Sequence, residues 1–201
     1  MLDRQSAGLN KIARDIESSG IVPGDRWTFD DASTEVCNSI MTFIKHYCKA
    51  SVNVNYVRTI DPAGKIVKMV GCANELRDVP TTYMKEQTVT NEATAFLDVR
   101  MFARNKLQAV YRLTPHEVDK AFSYHDREKD SGRRQQFLFI PVSCDKKKMI
   151  GLIEIIAPKG NIIAKTDKSM DNIRKLLTVY SSIFILLHKA EKAAIATPRR
   201  P

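Results

Sequence analysis

The stretch Phe137-Leu-Phe-Ile-Pro-Val142 is followed, after the polar residues 143–148, by Met149-Ile-Gly-Leu-Ile-Glu-Ile-Ile156. Both apolar runs are typical of strands, and together they predict a hairpin. Beyond them, apolar side chains recur at the spacing of one helix face: Ile173, Leu176, Leu177, Tyr180, Ile183, Phe184 and Leu187. The end of the chain is therefore predicted to be a hairpin that leads into a long helix, from Thr166 or Asp167 to about Glu191.

The N-terminal half predicts a helix and a second hairpin. The helix begins after Asp30 or Asp31, because either side chain can accept hydrogen bonds from the first backbone N–H groups. Residues 52–56 alternate apolar and Asn side chains, the period of a half-buried strand. Asp61-Pro-Ala-Gly64 is a turn, so residues 51–72 are predicted to form a β-hairpin.

The ends and the middle of the chain give weaker patterns. The pattern of residues 2–18 predicts an amphipathic helix, and a linker follows it. Residues 195–201 are expected to form a disordered tail. Residues 92–104 fit a helix, although an alternating strand pattern fits part of them too, and a strand is expected near residues 107–112. Thr114 and Pro115 begin a short helix, because Thr caps and Pro needs no bond in the first turn. Residues 124–136 are expected to be an exposed loop.

Composition narrows the classes of function. The 201 residues carry a formal net charge of +9, which raises an anionic partner or nucleic acid as a hypothesis. No apolar run is long enough to span a membrane, and Met1 does not open a signal peptide, so we expect a cytoplasmic protein. The four cysteines contain no C-x-x-C pair and are expected to be free thiols rather than ligands of a metal. No cofactor is predicted.

The order of elements resembles that of a GAF domain over about residues 32–190. In that family an "IPV"-like strand precedes a "GxIxl"-like strand, a charged loop and a helix that crosses the sheet. Pro141, Val142, Gly151 and Glu154 lie where that pattern requires them. The resemblance implies an α+β domain with a central antiparallel sheet of about six strands flanked by helices. We accordingly divide the chain into an N-terminal helix and linker (1–30), a GAF-like domain (31–191) and a flexible basic tail (192–201).

The resemblance also implies how such a domain works. A small-molecule pocket is expected between the sheet and the variable middle segment, and homodimerisation through the N- and C-terminal helices. Residues 184–187 are apolar around most of the last helix, which exceeds what one sheet face needs to bury. We therefore expect a sensory or regulatory module that binds a small ligand or a protein partner and signals through its terminal helices.

The middle segment supplies the candidate ligand-binding residues. Guanidinium groups bind phosphate or carboxylate in a bidentate fork, and tyrosine rings provide stacking surfaces, so we expect an anionic or nucleotide-like ligand. The predicted site comprises Arg100, Arg104, Tyr111, Arg112, Tyr124 and Arg127. The cyclic-nucleotide signature of some GAF domains does not occur in the position that the family requires.

Two other functions stay open at the level of sequence. The first is nucleic-acid binding through the basic surface, whose affinity would fall steeply with salt. The second is the free methionine sulfoxide reductase activity of a cysteine-dependent GAF branch. That chemistry requires a thiolate beside a cation or a helix N-terminus, and the cysteine cluster of that branch is missing from the middle segment. The primary expectation is a protein that is not an enzyme.

Overall fold

The computed structural model describes residues 28–74, 86–92, 97–109, 134–158, 163 and 167–196. Its elements in chain order are α1 (Phe29–Cys48), β1 (Asn53–Thr59), β2 (Ile66–Asn74), β3 (Gln87–Thr88), α2 (Leu97–Ala103), β4 (Arg134–Val142), β5 (Gly151–Pro158) and α3 (Asp167–Ala196). The strands form one sheet in the order β3-β2-β1-β5-β4, and each neighbouring pair is antiparallel. The α+β fold with flanking helices is therefore confirmed.

Each face of the sheet is covered by different helices. The first, which we call the helix face, packs against α1 and α3 and holds the larger apolar cluster, including Ile44, Ile155 and Leu177. The second, the α2 face, packs against Val99, Met101 and Phe102 of α2. Because successive side chains of a strand point to opposite faces, β1 and β5 contribute to both clusters. The central strands are consequently buried on both sides.

The two predicted hairpins are confirmed, with small shifts of their boundaries. Gly64 adopts a φ of +70° in the β1–β2 turn, the left-handed conformation that glycine tolerates best. In the second hairpin Ile140 lies opposite Ile153, so the two apolar runs pair in register. β4 already begins at Arg134, and residues 134–136 are therefore a strand rather than the end of the predicted loop.

The start of α1 corrects the predicted cap. The cap is Thr28, whose side chain accepts a hydrogen bond from the Asp31 backbone N–H. The Asp31 carboxylate in turn accepts from the Thr28 N–H at 3.0 Å, which completes a capping box. Neither Asp30 nor Asp31 is the cap, because the threonine before them satisfies the same backbone donors.

The described residues contain five strands, one fewer than the expected total of about six. Residues 107–109, the described part of the strand expected near 107–112, belong to no strand. The chain leaves α2 through Asn105 in a left-handed conformation and turns toward the β4–β5 loop. Within the described residues α2 spans Leu97–Ala103, and residues 92 and 104 at the predicted ends are not helical. Helix α3 continues to Ala196 rather than ending near Glu191. The expected elements at residues 2–18 and 114–122 lie outside the described residues, and the division into domains stays a prediction.

Candidate functional site

One row of side chains crosses four strands on the α2 face. In the register of the sheet, Asn55 of β1 lies opposite Cys72 of β2 on one side and Glu154 of β5 on the other. Glu154 in turn lies opposite Phe139 of β4. Two polar groups, Asn55 and Glu154, therefore occupy the centre of the sheet, with a thiol and an aromatic ring beside them.

The two central residues are buried and hydrogen-bonded to each other. Asn55 is 2% exposed and Glu154 is 3% exposed. Nδ2 of Asn55 donates to Oε2 of Glu154 at 3.2 Å. Because a carboxylate only accepts hydrogen bonds, this contact fixes the amide orientation, with Nδ2 toward Glu154. The other end of the amide, Oδ1, therefore points away from that bond.

Oδ1 of Asn55 has no donor among the described residues. A buried acceptor that has lost water and gained no partner costs about 1–3 kcal/mol of stability. Most buried polar groups in native proteins are paired, so an exception calls for an explanation. A bound molecule that presents an N–H or O–H group to this oxygen would remove the penalty.

An apolar surround encloses this polar centre. The side chains that form it from the sheet and from α2 are Val57, Val67, Met69, Phe139, Met149, Leu152, Ile156, Val99, Met101 and Phe102. A mainly apolar lining with a few placed polar groups is the usual composition of a small-molecule site. The polar centre is therefore enclosed within the smaller apolar core, between the sheet and α2.

Helix α2 adds a buried carboxyl group to this half of the protein. Asp98 is buried, and burial raises its pKa to about 6, opposed by hydrogen bonds from the backbone N–H groups of Val99 and Asp98. A carboxyl with such a pKa changes its charge close to neutral pH. Groups of this kind are enriched at functional sites, although structural networks contain them too.

Two of the six predicted site residues fall within the described chain. Arg100 is partly buried on α2, and its buried Nε has no partner among the described residues. Arg104 is exposed, and its Nε donates to Oδ1 of Asn91 at 2.5 Å, which ties the end of α2 to the segment after β3. The other four lie outside the described residues: Tyr111, Arg112, Tyr124 and Arg127. Ligand binding by all six stays a prediction.

Sequence reasoning missed the row on the α2 face. The alternation over residues 52–56 predicts a half-buried strand, but both of its faces are covered, and Asn53 and Asn55 are each 2% exposed. Alternation shows which residues share a face and not whether another element covers that face. A usable signal was nevertheless present, because Glu154 interrupts an otherwise apolar strand.

The cysteines are free thiols, as predicted. Burial raises the pKa of Cys37 well above its usual value, that of Cys48 to about 11, and that of Cys72, where the Glu154 charge adds to the effect. Cys144 is exposed in the β4–β5 turn. Within the described ranges no group of three or more potential ligands is arranged to hold a metal ion.

The opposite, helix face carries a second buried polar contact that the sequence did not reveal. The Tyr56 hydroxyl and His188 Nε2 are 2.8 Å apart, and the Tyr56 ring stacks on Phe184 with centroids separated by 3.7 Å. Tyr56 follows Asn55 directly, so one strand presents one residue to the α2 face and the next to α3. The two sides of the sheet are thus connected through adjacent residues.

No family model matches the chain, and no curated protein matches its sequence. Solved structures do match. The GAF domain of an Acinetobacter phosphoenolpyruvate-protein phosphotransferase is 13% identical, covers 100% of both chains and gives a TM-score of 0.56. A phycoerythrobilin-bound GAF domain of a cyanobacterial phytochrome is 9% identical, with 93% of this chain and 97% of that one covered and a TM-score of 0.55.

The chain has a GAF-like fold. The same fold occurs in a type II free methionine-R-sulfoxide reductase from Thermoplasma acidophilum, which is 13% identical, with 81% of this chain and 96% of that one covered and a TM-score of 0.52. Fold alone does not determine function, since these neighbours include both a bilin-bound domain and an enzyme. In the described part of the GAF-like chain, no helix has the length and apolarity to cross a bilayer.

Proposed function

We propose that this chain is a sensory or regulatory module that binds a small ligand on the α2 face of its sheet. The observation that carries the proposal is the buried Asn55 amide, oriented by Glu154 and left with an unpartnered Oδ1. A ligand N–H group directed at this oxygen would convert a cost of about 1–3 kcal/mol into a satisfied hydrogen bond. The bound bilin of the phytochrome neighbour supports the proposal, because it shows that this fold accommodates an organic ligand.

The ligand that we propose combines a donor with an anionic group. Its donor binds Asn55, and its anionic group is bound by the arginines of the middle segment, of which Arg100 already has a buried, unpartnered Nε. Arg104, Arg112 and Arg127, with the rings of Tyr111 and Tyr124, complete the proposed set. This chemistry describes an anionic or nucleotide-like molecule with an apolar or aromatic body.

The signal would pass through the sheet to α3. A ligand on Asn55 shifts the equilibrium only if it binds two arrangements of the protein with different free energies. Tyr56 is the next residue of β1, faces the other side, and contacts Phe184 and His188 of α3. A small displacement of β1 at Asn55 would therefore change the packing of α3.

We further propose that α3 joins a second copy of the chain. Val179 is 47% exposed, and Leu176 and Leu186 on the same helix are partly exposed. Their spacing of three and seven residues places them along one stripe beside the buried face, as in a helix pair. Light scattering is expected to give the mass of a homodimer, and Val179→Lys that of a monomer, whereas an equal mass for both proteins would contradict this interface.

The reductase function has weaker support. Cys72 lies in the row beside Asn55, but nucleophilic attack requires a thiolate, and burial raises the pKa of that thiol. A protonated thiol in an apolar surround behaves as a small apolar side chain. We therefore propose binding rather than catalysis, in a cytoplasm whose reducing conditions agree with four free thiols.

The decisive experiment identifies the ligand and then removes its contact. Native mass spectrometry of the purified protein would detect a retained molecule. Thermal unfolding with biliverdin, methionine sulfoxide and the cyclic nucleotides of adenosine and guanosine would then test related compounds. We expect at least one to raise the unfolding temperature of the wild type and of Asn74→Leu, an exposed control, but not of Asn55→Leu.

Two results would overturn the proposal. One is an Asn55→Leu variant that responds to the compound as the wild type does. The other is a protein that retains nothing on purification and responds to none of the compounds. Should Asn55→Leu fail to fold, as judged by circular dichroism, Asn55→Gln displaces the same oxygen without removing the amide.

A further inference from the structure

Three loops meet at one end of the sheet. Because β1 is antiparallel to both β2 and β5, the β1–β2 turn (60–65) and the β4–β5 turn (143–150) lie at the same end. The C-terminal end of α2 joins them through Asn105. We call this surface the basic end, for its exposed cations: Lys65, Arg104, Lys106, Lys146, Lys147 and Lys148.

Hydrogen bonds fix the loops of the basic end relative to one another. Nδ2 of Asn105 donates to the Lys147 carbonyl at 2.6 Å, and Oδ1 accepts from the Met149 N–H at 2.8 Å. Lys148 extends across to the β1–β2 turn, where its Nζ lies 2.9 Å from the position a Cβ would take at Gly64. The cations therefore form one surface, although they come from three distant segments of the chain.

The carboxylates of these loops are directed at their own backbone. Asp61 accepts from the N–H groups of Lys65 and Ile66, and these bonds hold the pKa of its carboxyl below the usual value. Asp145 accepts from the N–H groups of Lys147 and Lys148, with the same effect on its pKa. In the described part of the chain, no ion pair involves the five lysines.

The basic end keeps a positive excess when its acidic neighbours are counted. The surface carries six cations and three carboxylates. The carboxylates are Asp61, Asp145 and the exposed Glu92, which follows Asn91, the hydrogen-bond partner of Arg104. Clustered charges of one sign raise the local concentration of an oppositely charged partner. An anion with several charges gains the most binding free energy, because each of its charges can contact a different cation.

We propose that the basic end binds the phosphate backbone of a nucleic-acid duplex. Lysine is depleted at the cores of protein interfaces, so the composition of this surface is unlike that of a protein docking site. A membrane surface would favour a large apolar anchor, yet of the large exposed hydrophobic residues in the described chain only Ile60 lies at this end, at 36% exposure. Duplex DNA, by contrast, presents one negative charge about every 1.7 Å along its axis, which suits closely spaced lysines.

The surface fits backbone binding without sequence specificity. Lysine is a point charge on a flexible stem, whereas the planar, bidentate fork of arginine is better suited to recognising one base edge. The lysines dominate here, and the Nε of Arg104, the one arginine, is already bound to Asn91. The proposal is independent of a ligand on the α2 face, because none of the five exposed lysines belongs to the residues proposed to bind that ligand. Arg104 alone occurs in both sets, and the variants that test the basic end leave it unchanged.

Fluorescence anisotropy with a labelled DNA duplex of about 20 base pairs tests the proposal, through the slope of log K against log salt. The full chain carrying Lys146→Gln, Lys147→Gln and Lys148→Gln is compared with a control of equal charge, Lys175→Gln, Lys189→Gln and Lys192→Gln on α3. We expect the first variant to bind at least about tenfold more weakly, with a slope smaller by roughly two to three, and the control to bind as the wild type does.

A second variant, Lys65→Gln with Lys106→Gln, is also expected to weaken binding, because its lysines belong to the other two loops. Thermal unfolding verifies that each variant is folded. The proposal is overturned by any of three results: no duplex binding at low salt, equal losses in the turn variant and the α3 control, or binding to phosphatidylserine vesicles without binding to the duplex.

Discussion

The hydroxyl of Tyr56 and Nε2 of His188 lie 2.8 Å apart in the interior, across 132 residues of sequence. Tyr56 is at the centre of the sheet and His188 is in the last third of α3. The Phe29 ring, at the start of α1, lies 4.9 Å from the imidazole between centroids. One buried contact thus joins the sheet to both long helices, and its strength depends on the charge of the histidine.

We predict that stability falls between pH 6.5 and pH 4 through His188. Burial first, and then the charges of Arg58 and Lys192, lower the pKa of this imidazole from 6.5 to about 4. Above pH 6.5 both the folded and the unfolded state are neutral there. As the pH falls, the unfolded state binds the proton first, so the folded state loses about 2 kcal/mol between pH 7.5 and pH 5. Urea denaturation over this range measures the loss.

The effect of His188 is isolated by comparing how the free energy of unfolding changes with pH in the wild type and in His188→Gln. The exposed His46→Gln is the control. This comparison is needed because Asp98 changes stability over the same pH range with the opposite sign. Its pKa is raised to about 6, so its contribution to stability decreases as the pH rises from 3.8 to 6. His46→Gln should keep the wild-type slope. A His188→Gln variant with that same slope would contradict the assignment.

We predict that the Arg58–Glu191 ion pair stabilises the end of α3 more than an exposed pair would. Arg58 Nη1 lies 2.8 Å from Glu191 Oε2, and the side chains are 15% and 26% exposed. The Arg58 guanidinium also lies 3.9 Å from the centre of the Phe29 ring. Glu191→Gln should lower the free energy of unfolding by about 1 kcal/mol, partly because the Glu191 carboxylate also holds the guanidinium over the Phe29 ring.

The matched control for the ion pair lies on the same helix. Arg174 and Asp171 are 2.9 Å apart but 49% and 57% exposed, so Asp171→Asn should cost no more than about 0.5 kcal/mol. Denaturation in low and in 1 M salt separates the pairs, because salt screens the exposed one more completely. Equal losses from both substitutions would refute the prediction.

The hairpins were predictable because their signals are local. Residues 137–142 and 149–156 carry a strand pattern, and Asp61-Pro-Ala-Gly64 carries turn chemistry, within a few residues of each other. The cap of α1 shows the limit of such signals. Asp30 and Asp31 were the predicted caps, and either side chain can accept the hydrogen bonds that the Thr28 side chain accepts, so the local chemistry alone does not place the first turn.

The candidate site was less predictable because it depends on contacts distant in sequence. Asn55 and Glu154 are 99 residues apart, and only the register of β1 against β5 brings them together. Tyr56 and His188 are farther apart still, and the helical pattern of α3 identifies its apolar face without identifying a histidine partner. Local sequence patterns therefore predict the strands, whereas the site depends on tertiary contacts that those patterns do not contain.

We predict that Gly151→Ala is strongly destabilising. Gly151 begins β5 beneath Tyr56, and a Cβ at this position would overlap the Tyr56 hydroxyl and lie 2.5 Å from Cζ of its ring. Tyr56 is held by Phe184 and His188, so it cannot move aside without losing those contacts. Urea denaturation should show a loss of about 2 kcal/mol or more, as in overpacked cores.

A double-mutant cycle tests the cause of that loss. Tyr56→Phe removes the hydroxyl, the nearest obstacle, so Gly151→Ala should cost less in the Tyr56→Phe background than in the wild type. Additive losses would show that the two positions do not interact. A Gly151→Ala protein as stable as the wild type would show that β5 can shift at this point, contrary to the packing described.

The thiols should differ in reactivity at neutral pH. Cys144 is exposed, whereas burial raises the pKa of Cys37, Cys48 and Cys72 and keeps them protonated. Because the thiolate is the reactive species, a disulfide reagent at pH 7 should modify one cysteine rapidly and all four only in urea. Cys144→Ser should abolish the rapid phase. Rapid modification of Cys72 in the folded protein would instead reveal an activated thiol beside Asn55 and Glu154, and would favour a reductase over a binding module.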